Sequence, residues 1–135
     1  MKQITVKKAE AKVWRAKLVR PFSIAKGQHD LLENVLFSLE LSNGVRGYGE
    51  AAVATHITDE TVQETLKNLT AAAREVSGRV LEDFPAVAGA LKDRFAKNKC
   101  SLAAVEMALL DAATRVKKIP FWKAFGTRLC SLTTD

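Results

Sequence analysis

Apolar residues recur every second position in the first part of this chain and every third or fourth position in the rest, so strands are expected first and helices afterwards. Within the first twenty residues the apolar phase changes twice, from Ile4 and Val6 to Ala9, Ala11 and Val13, then to Trp14, Ala16 and Leu18. Each change predicts a bulge or a change of partner strand. Val35, Phe37, Leu39 and Leu41 alternate with Leu36, Ser38, Glu40 and Ser42, which gives a second strand one defined core face. Asn43-Gly44 predicts a tight primed turn, since both residue types tolerate positive φ, and Val45 to Ala51 is the return strand.

A helix is predicted from about Thr58, capped by that hydroxyl, with Val62, Leu66, Leu69, Ala73 and Val76 as its stripe and Gly78 as its stop. Asp83 is the expected cap of a second helix, with Pro85 in its first turn and Val87, Leu91 and Phe95 facing inward. A third runs from about Ser101 to Lys117, and Pro120 opens a short fourth that ends at Gly126. The third helix is apolar nearly all round: Leu102, Val105, Leu109, Ala112 and Val116 share one stripe, while Ala104, Met107 and Leu110 lie away from it. Such a helix must be covered on more than one side, which predicts a covering surface beyond this chain. Three strands followed by three or four helices define an α+β fold, a three-stranded antiparallel meander followed by a helical bundle. The connections Arg20 to Leu32 and Ala52 to Ile57 are expected to be binding loops, and each carries one histidine, His29 and His56.

Composition narrows the picture modestly. With 135 residues and 47% hydrophobic content, one globular domain is expected. No apolar run approaches the ~20 residues that span a bilayer, and the amino terminus has no apolar signal core, so a soluble, cytoplasmic protein without a membrane partner is expected. The net charge of +6 is concentrated in residues 1–20, where seven Lys and Arg face only Glu10. An edge strand kept soluble by its cations explains this, with a phosphate-binding strip as the alternative; no nucleic-acid reading motif accompanies it. Cys100 and Cys130 are in no paired motif and read as reduced thiols. Two scattered imidazoles do not make a metal site from this chain alone.

Four blocks in order, Pro21-Phe22, Gly47-Tyr48-Gly49-Glu50-Ala51, the run from Ala104 to Asp111, and Ile119-Pro120, resemble the amino-terminal capping domain of the enolase superfamily. The likeness is to its mandelate-racemase and muconate-lactonizing branch, and within that to dipeptide epimerases of the L-Ala-D/L-Glu type. The resemblance implies a cap over residues 1–129, with 130–135 entering a (β/α) barrel that would hold Mg²⁺ and abstract a proton α to a carboxylate. It implies no catalytic residue and no metal ligand in this chain, which alone is expected to be inactive. It also implies that Lys26, His29 and His56 contact a small anionic substrate, a dipeptide or carboxylate, and that the enzyme is a homo-oligomer. Two positions depart from the family pattern, Lys118 and Gly126-Thr127, where Gly and Gly-Gly are common. By resemblance Glu50, a carboxylate placed to be buried with a partner, is a cap-to-barrel or local structural residue, while Glu106 is read as a structural residue and Asp111 as an ion-pair partner of Arg115. The alternative is a stand-alone binding module using its basic first strand.

Overall fold

Strict alternation over residues 35–41 buries Val35, Phe37, Leu39 and Leu41 on one side of a sheet, and the helices that follow cover that side. The computed structural model describes residues 3–24, 27–126, 131 and 133. Strands β1 (Val6–Ile24), β2 (Gly27–Leu41) and β3 (Arg46–Ala51) form an antiparallel sheet in the order β1-β2-β3. Helices α1 (Thr55–Thr58), α2 (Val62–Val76), α3 (Phe84–Arg94) and α4 (Lys99–Val116) follow, which is the α+β meander and bundle expected from the periodicities. Leu69, Ala72 and Val76 of α2 and Leu102, Val105 and Leu109 of α4 join the strand residues in one core.

Two glycines decide how α4 docks. Gly47 and Gly49 lie opposite Leu39 and Phe37 in the ladder and therefore face the helices. A Cβ added at either would land on a carbonyl oxygen of α4, that of Ala108 or Ala104 respectively. Small residues let the backbones of β3 and α4 touch, and Ala104, Ala108 and Ala112 are fully buried there. Part of the second apolar surface of α4 is thus covered inside the chain. Met107 and Leu110 instead line an apolar groove of about 440 Å³ with Phe84, Ala88, Phe121 and Phe125.

Several local expectations are corrected. A bulge does lie between Val6 and Lys8, but Val13 and Trp14 pair in continuous register with Val35 and Asn34. Trp14 therefore turns to the sheet face away from the helices, where it is 40% exposed. At the β2–β3 turn only Gly44 has positive φ; Gly44 N donates to Leu41 O at 2.9 Å, and Val45 N to Asn43 Oδ1 at 3.1 Å. This is a three-residue turn with a glycine bulge rather than a primed two-residue turn. Helix α2 begins later than expected, capped by Thr61, whose Oγ1 accepts from Glu64 N at 3.2 Å. Asp83 makes no side-chain capping bond. The expected loop from Arg20 to Leu32 is strand over most of its length, with Phe22 paired to His29 and Ile24 to Gly27 after an irregularity that follows Lys17.

Among the described residues, no helix is long and apolar enough to cross a membrane. The excess of cations on β1, an edge strand as expected, meets carboxylates of its own and the neighbouring strand. Lys7 pairs with Glu40 and Lys8 with Glu10, each at 3.0 Å, and Arg15 pairs with Glu33. Lys8 holds the Glu10 carboxyl below the usual carboxylate range, and Lys7 and Arg46 do the same to Glu40.

Candidate functional site

The far ends of β1 and β2 and the segment leaving β3 enclose a cavity of about 930 Å³. Leu18, Leu31, Leu32, Val53 and Val62 supply apolar walls, and Arg20, Glu33 and His56 supply polar groups. Glu33 is held by Arg15 on the neighbouring strand. A large concave site that is mostly apolar with a few convergent polar groups is the usual form of a small-molecule site.

One wall has a well-defined support. Beyond Ala51 the chain leaves the sheet, and the side chain of Asn34 takes over from the ladder. Its Oδ1 accepts from Val53 N at 3.1 Å, while its Nδ2 donates to Glu50 Oε1 at 2.6 Å. Glu50 is thus the partnered carboxylate that its place after Gly-Tyr-Gly suggested. The single turn α1 follows, carrying His56 half-buried on the cavity wall. Glu60 closes the segment: its backbone oxygen accepts from Thr55 Oγ1 at 2.7 Å, and its Oε1 accepts from Cys100 N at 3.1 Å in the first turn of α4. Burial pushes the neighbouring Cys100 thiol above its ordinary pKa.

Of the three residues expected to touch substrate, His56 lines the cavity. His29 sits in β2 opposite Phe22, and its side chain is outside the described set; Lys26 lies outside the described residues altogether. The two carboxylates of α4 have structural surroundings. Asp111 accepts from Tyr48 N at 3.1 Å and from Arg115 Nε at 2.9 Å, the expected helical ion pair, and Glu106 is exposed at the rim of the apolar groove. Among the described residues no three His, Cys, Asp or Glu side chains converge as a metal-holding cluster.

Periodicity could not single out Asn34 and Glu60. The available signal was an asparagine inside a strand, where that residue is uncommon. Glu60 precedes α2, yet its carboxylate reaches a different helix, α4.

The family pattern described as "Mandelate racemase / muconate lactonizing enzyme, N-terminal domain" matches residues 8–126. The chain is 51% identical over 121 residues to a hydrophobic dipeptide epimerase of Citrifermentans bemidjiense, covering 90% of this chain and 33% of that protein. It is 34% identical to an L-Ala-D/L-amino acid epimerase of Populus trichocarpa, covering 98% and 32%. A solved dipeptide epimerase from Enterococcus faecalis V583, complexed with Mg and the dipeptide L-Leu-L-Tyr, shares the fold with a TM-score of 0.84 at 22% identity, over 90% of this chain and 34% of that one. The chain spans about a third of the length of the curated relatives it matches.

Proposed function

Because the chain belongs to the mandelate racemase/muconate lactonizing enzyme family through its N-terminal domain, we propose that it is the substrate cap of an isomerase, an epimerase of dipeptides with hydrophobic side chains. The observation that carries this reading is the cavity of about 930 Å³ with Leu18, Leu31, Leu32, Val53 and Val62 in its walls. A side chain the size of Leu or Phe gains about 1.5–3 kcal/mol on leaving water for such a lining. An acidic side chain would lose its hydration against these apolar walls. The relative at 51% identity, a hydrophobic dipeptide epimerase, agrees in chemistry.

In this reading epimerisation removes a proton from one face of an α-carbon and returns one to the other. The cap contributes binding and exclusion of water rather than proton transfer. Arg20 suits the carboxylate end of the dipeptide, with Lys26, His29 and His56 as further proposed contacts. The barrel, its Mg²⁺, a homo-oligomeric assembly and a cytoplasmic location belong to the same proposal. The alternative, a binding module using the basic strand, is weakened by the carboxylates that engage Lys7, Lys8 and Arg15.

The test is deuterium incorporation at Cα, followed by NMR, when the intact protein meets a panel of L,L-dipeptides in D₂O. The expected result is exchange with kcat/KM for L-Ala-L-Phe at least about tenfold above that for L-Ala-L-Glu. No exchange with any dipeptide refutes the activity, and a preference for the acidic dipeptide refutes the hydrophobic assignment.

A further inference from the structure

The wall of the cavity that carries His56 is fastened at both ends by buried polar side chains, one reaching in from β2 and one reaching out to α4. Asn34, 5% exposed, stands on β2 opposite Trp14 and has both amide groups engaged. Its oxygen must face Val53 N and its nitrogen must face Glu50, because the reversed amide would set donor against donor and acceptor against acceptor. Glu60, also 5% exposed, reaches the start of α4. The N-cap residue there, Asn98, makes no side-chain capping bond and donates instead to Thr65 Oγ1 at 3.3 Å. Glu60 therefore supplies from a distance the carboxylate that a helix N-terminus favours. Between these anchors the chain closes on itself through Asp59 N to Thr55 O at 3.0 Å and Thr55 Oγ1 to Glu60 O at 2.7 Å.

We propose that Asn34 and Glu60 are positioning residues, which pin the segment from Val53 to Glu60 to the sheet and to α4 and so preset the cavity wall that carries His56. Neither needs to touch a ligand to do this. Apolar anchorage of the segment is confined to its start, where Val53 packs against the core: α1 buries no residue, and Ile57 is 73% exposed. The two polar anchors fasten the segment at its ends. A preset wall gives selectivity without an ordering cost at binding. Only this last consequence depends on the proposed function.

The test uses amide hydrogen exchange on the intact protein, together with the dipeptide panel. Asn34→Ala should speed exchange at Val53 about tenfold, the effect of losing one buried hydrogen bond, while Phe37 and Leu39 at the sheet centre keep their rates. Asn34→Asp alone should behave the same way, since it sets a carboxylate against Glu50. Combining Asn34→Asp with Glu50→Gln restores a donor to that pair and keeps the acceptor for Val53, so the slow exchange should return. Glu60→Ala should speed exchange at Cys100 by a similar factor. In the kinetic arm Asn34→Ala should raise KM about tenfold, leave kcat within about threefold, and narrow the preference between L-Ala-L-Phe and L-Ala-L-Glu. Unchanged exchange at Val53, equal acceleration at Val53 and Phe37, or a paired swap that restores nothing overturns the fastening. Faster exchange with unaltered dipeptide preference overturns the positioning role. A wild-type protein that epimerises no dipeptide refutes the proposed function, and the exchange arm still decides the anchors.

Discussion

One side of α4 lies on β3 so closely that a methyl group has no room, while another side, carrying Met107 and Leu110, borders an apolar groove of about 440 Å³. In the sequence both sides are apolar at helical spacing, Ala104, Ala108 and Ala112 on one and Met107 and Leu110 on the other. What separates them is a complementary surface elsewhere in the chain. The alanines at 104, 108 and 112 meet the bare backbone of Gly47 and Gly49, whereas Met107 shares a groove with Phe84 and Ala88 of α3 and with Phe121 and Phe125. Hydrophobicity marks which side can be buried, and the partner's shape decides which side is.

The largest effect should come from closing the tight side. Gly49→Ala places a Cβ on Ala104 O, where neither backbone can yield without separating the strand from the helix. A loss of about 3 kcal/mol is expected in denaturant unfolding. Gly89→Ala is the matched control, because that position in α3 has open space; it should gain about 0.5–1 kcal/mol from helix propensity alone. Equal effects at the two sites would mean that the close approach does not exist in solution.

Much of the layering is legible in the sequence. The period of two in residues 35–41 and the stripes of α2 and α4 gave the layers, and Gly-Tyr-Gly announced a close backbone contact, because a strand interior otherwise has little use for glycine. What was not legible depends on groups that carry no period. The single turn α1 is too short to show one. The extension of β1 and β2 past Arg20 is held by backbone pairing, which imposes no side-chain pattern. Of the expected site, only His56 comes to the cavity wall among residues whose side chains are described. The anchors that support that wall, Asn34 and Glu60, are long-range polar contacts that spacing along the chain does not encode.

A smaller effect tests how the tight side is sealed at the sheet edge. Asp111 gives Tyr48 N an acceptor that no further strand provides, and it holds Arg115 near the Tyr48 ring. Asp111→Ala should cost about 1 kcal/mol, the net worth of such a bond. Asp111→Asn, which keeps an acceptor, should cost less than half of that. If the two substitutions cost the same, the Arg115 ion pair rather than the edge amide carries the contribution.

At the end of the same helix the change should be favourable. Lys118 has φ +53° in a Schellman cap, with Ile119 N donating to Thr114 O at 3.0 Å and Lys118 N to Arg115 O at 3.1 Å. This is one of the positions where the family pattern favours glycine, and the left-handed backbone supplies the reason. Lys118→Gly should relieve about 1 kcal/mol of strain, less a few tenths for the added freedom of the unfolded chain. A thermal melt reads the difference, and destabilisation would mean that Lys118 makes a contact outweighing its conformation.

The smallest effect is expected on the open side, and its smallness is the point. Met107 is 37% exposed, so Met107→Ala removes a side chain that water already reaches and should change stability by less than about 0.5 kcal/mol in the 135-residue chain. A fully enclosed methionine would cost about 2–5 kcal/mol on the same substitution. The comparison becomes sharper when the variant is measured in both the 135-residue chain and a chain that carries the proposed barrel. A small cost in the first and a large cost in the second would show that another part of the protein closes the groove. If the cost is large in the 135-residue chain as well, sedimentation across a concentration series separates the remaining outcomes. Self-association that Met107→Lys abolishes would place a second copy over the groove, since an exposed apolar patch of this kind seldom stays uncovered. A strictly monomeric chain with the large cost would mean that both sides of α4 are buried within one molecule, and the contrast drawn between them would fail.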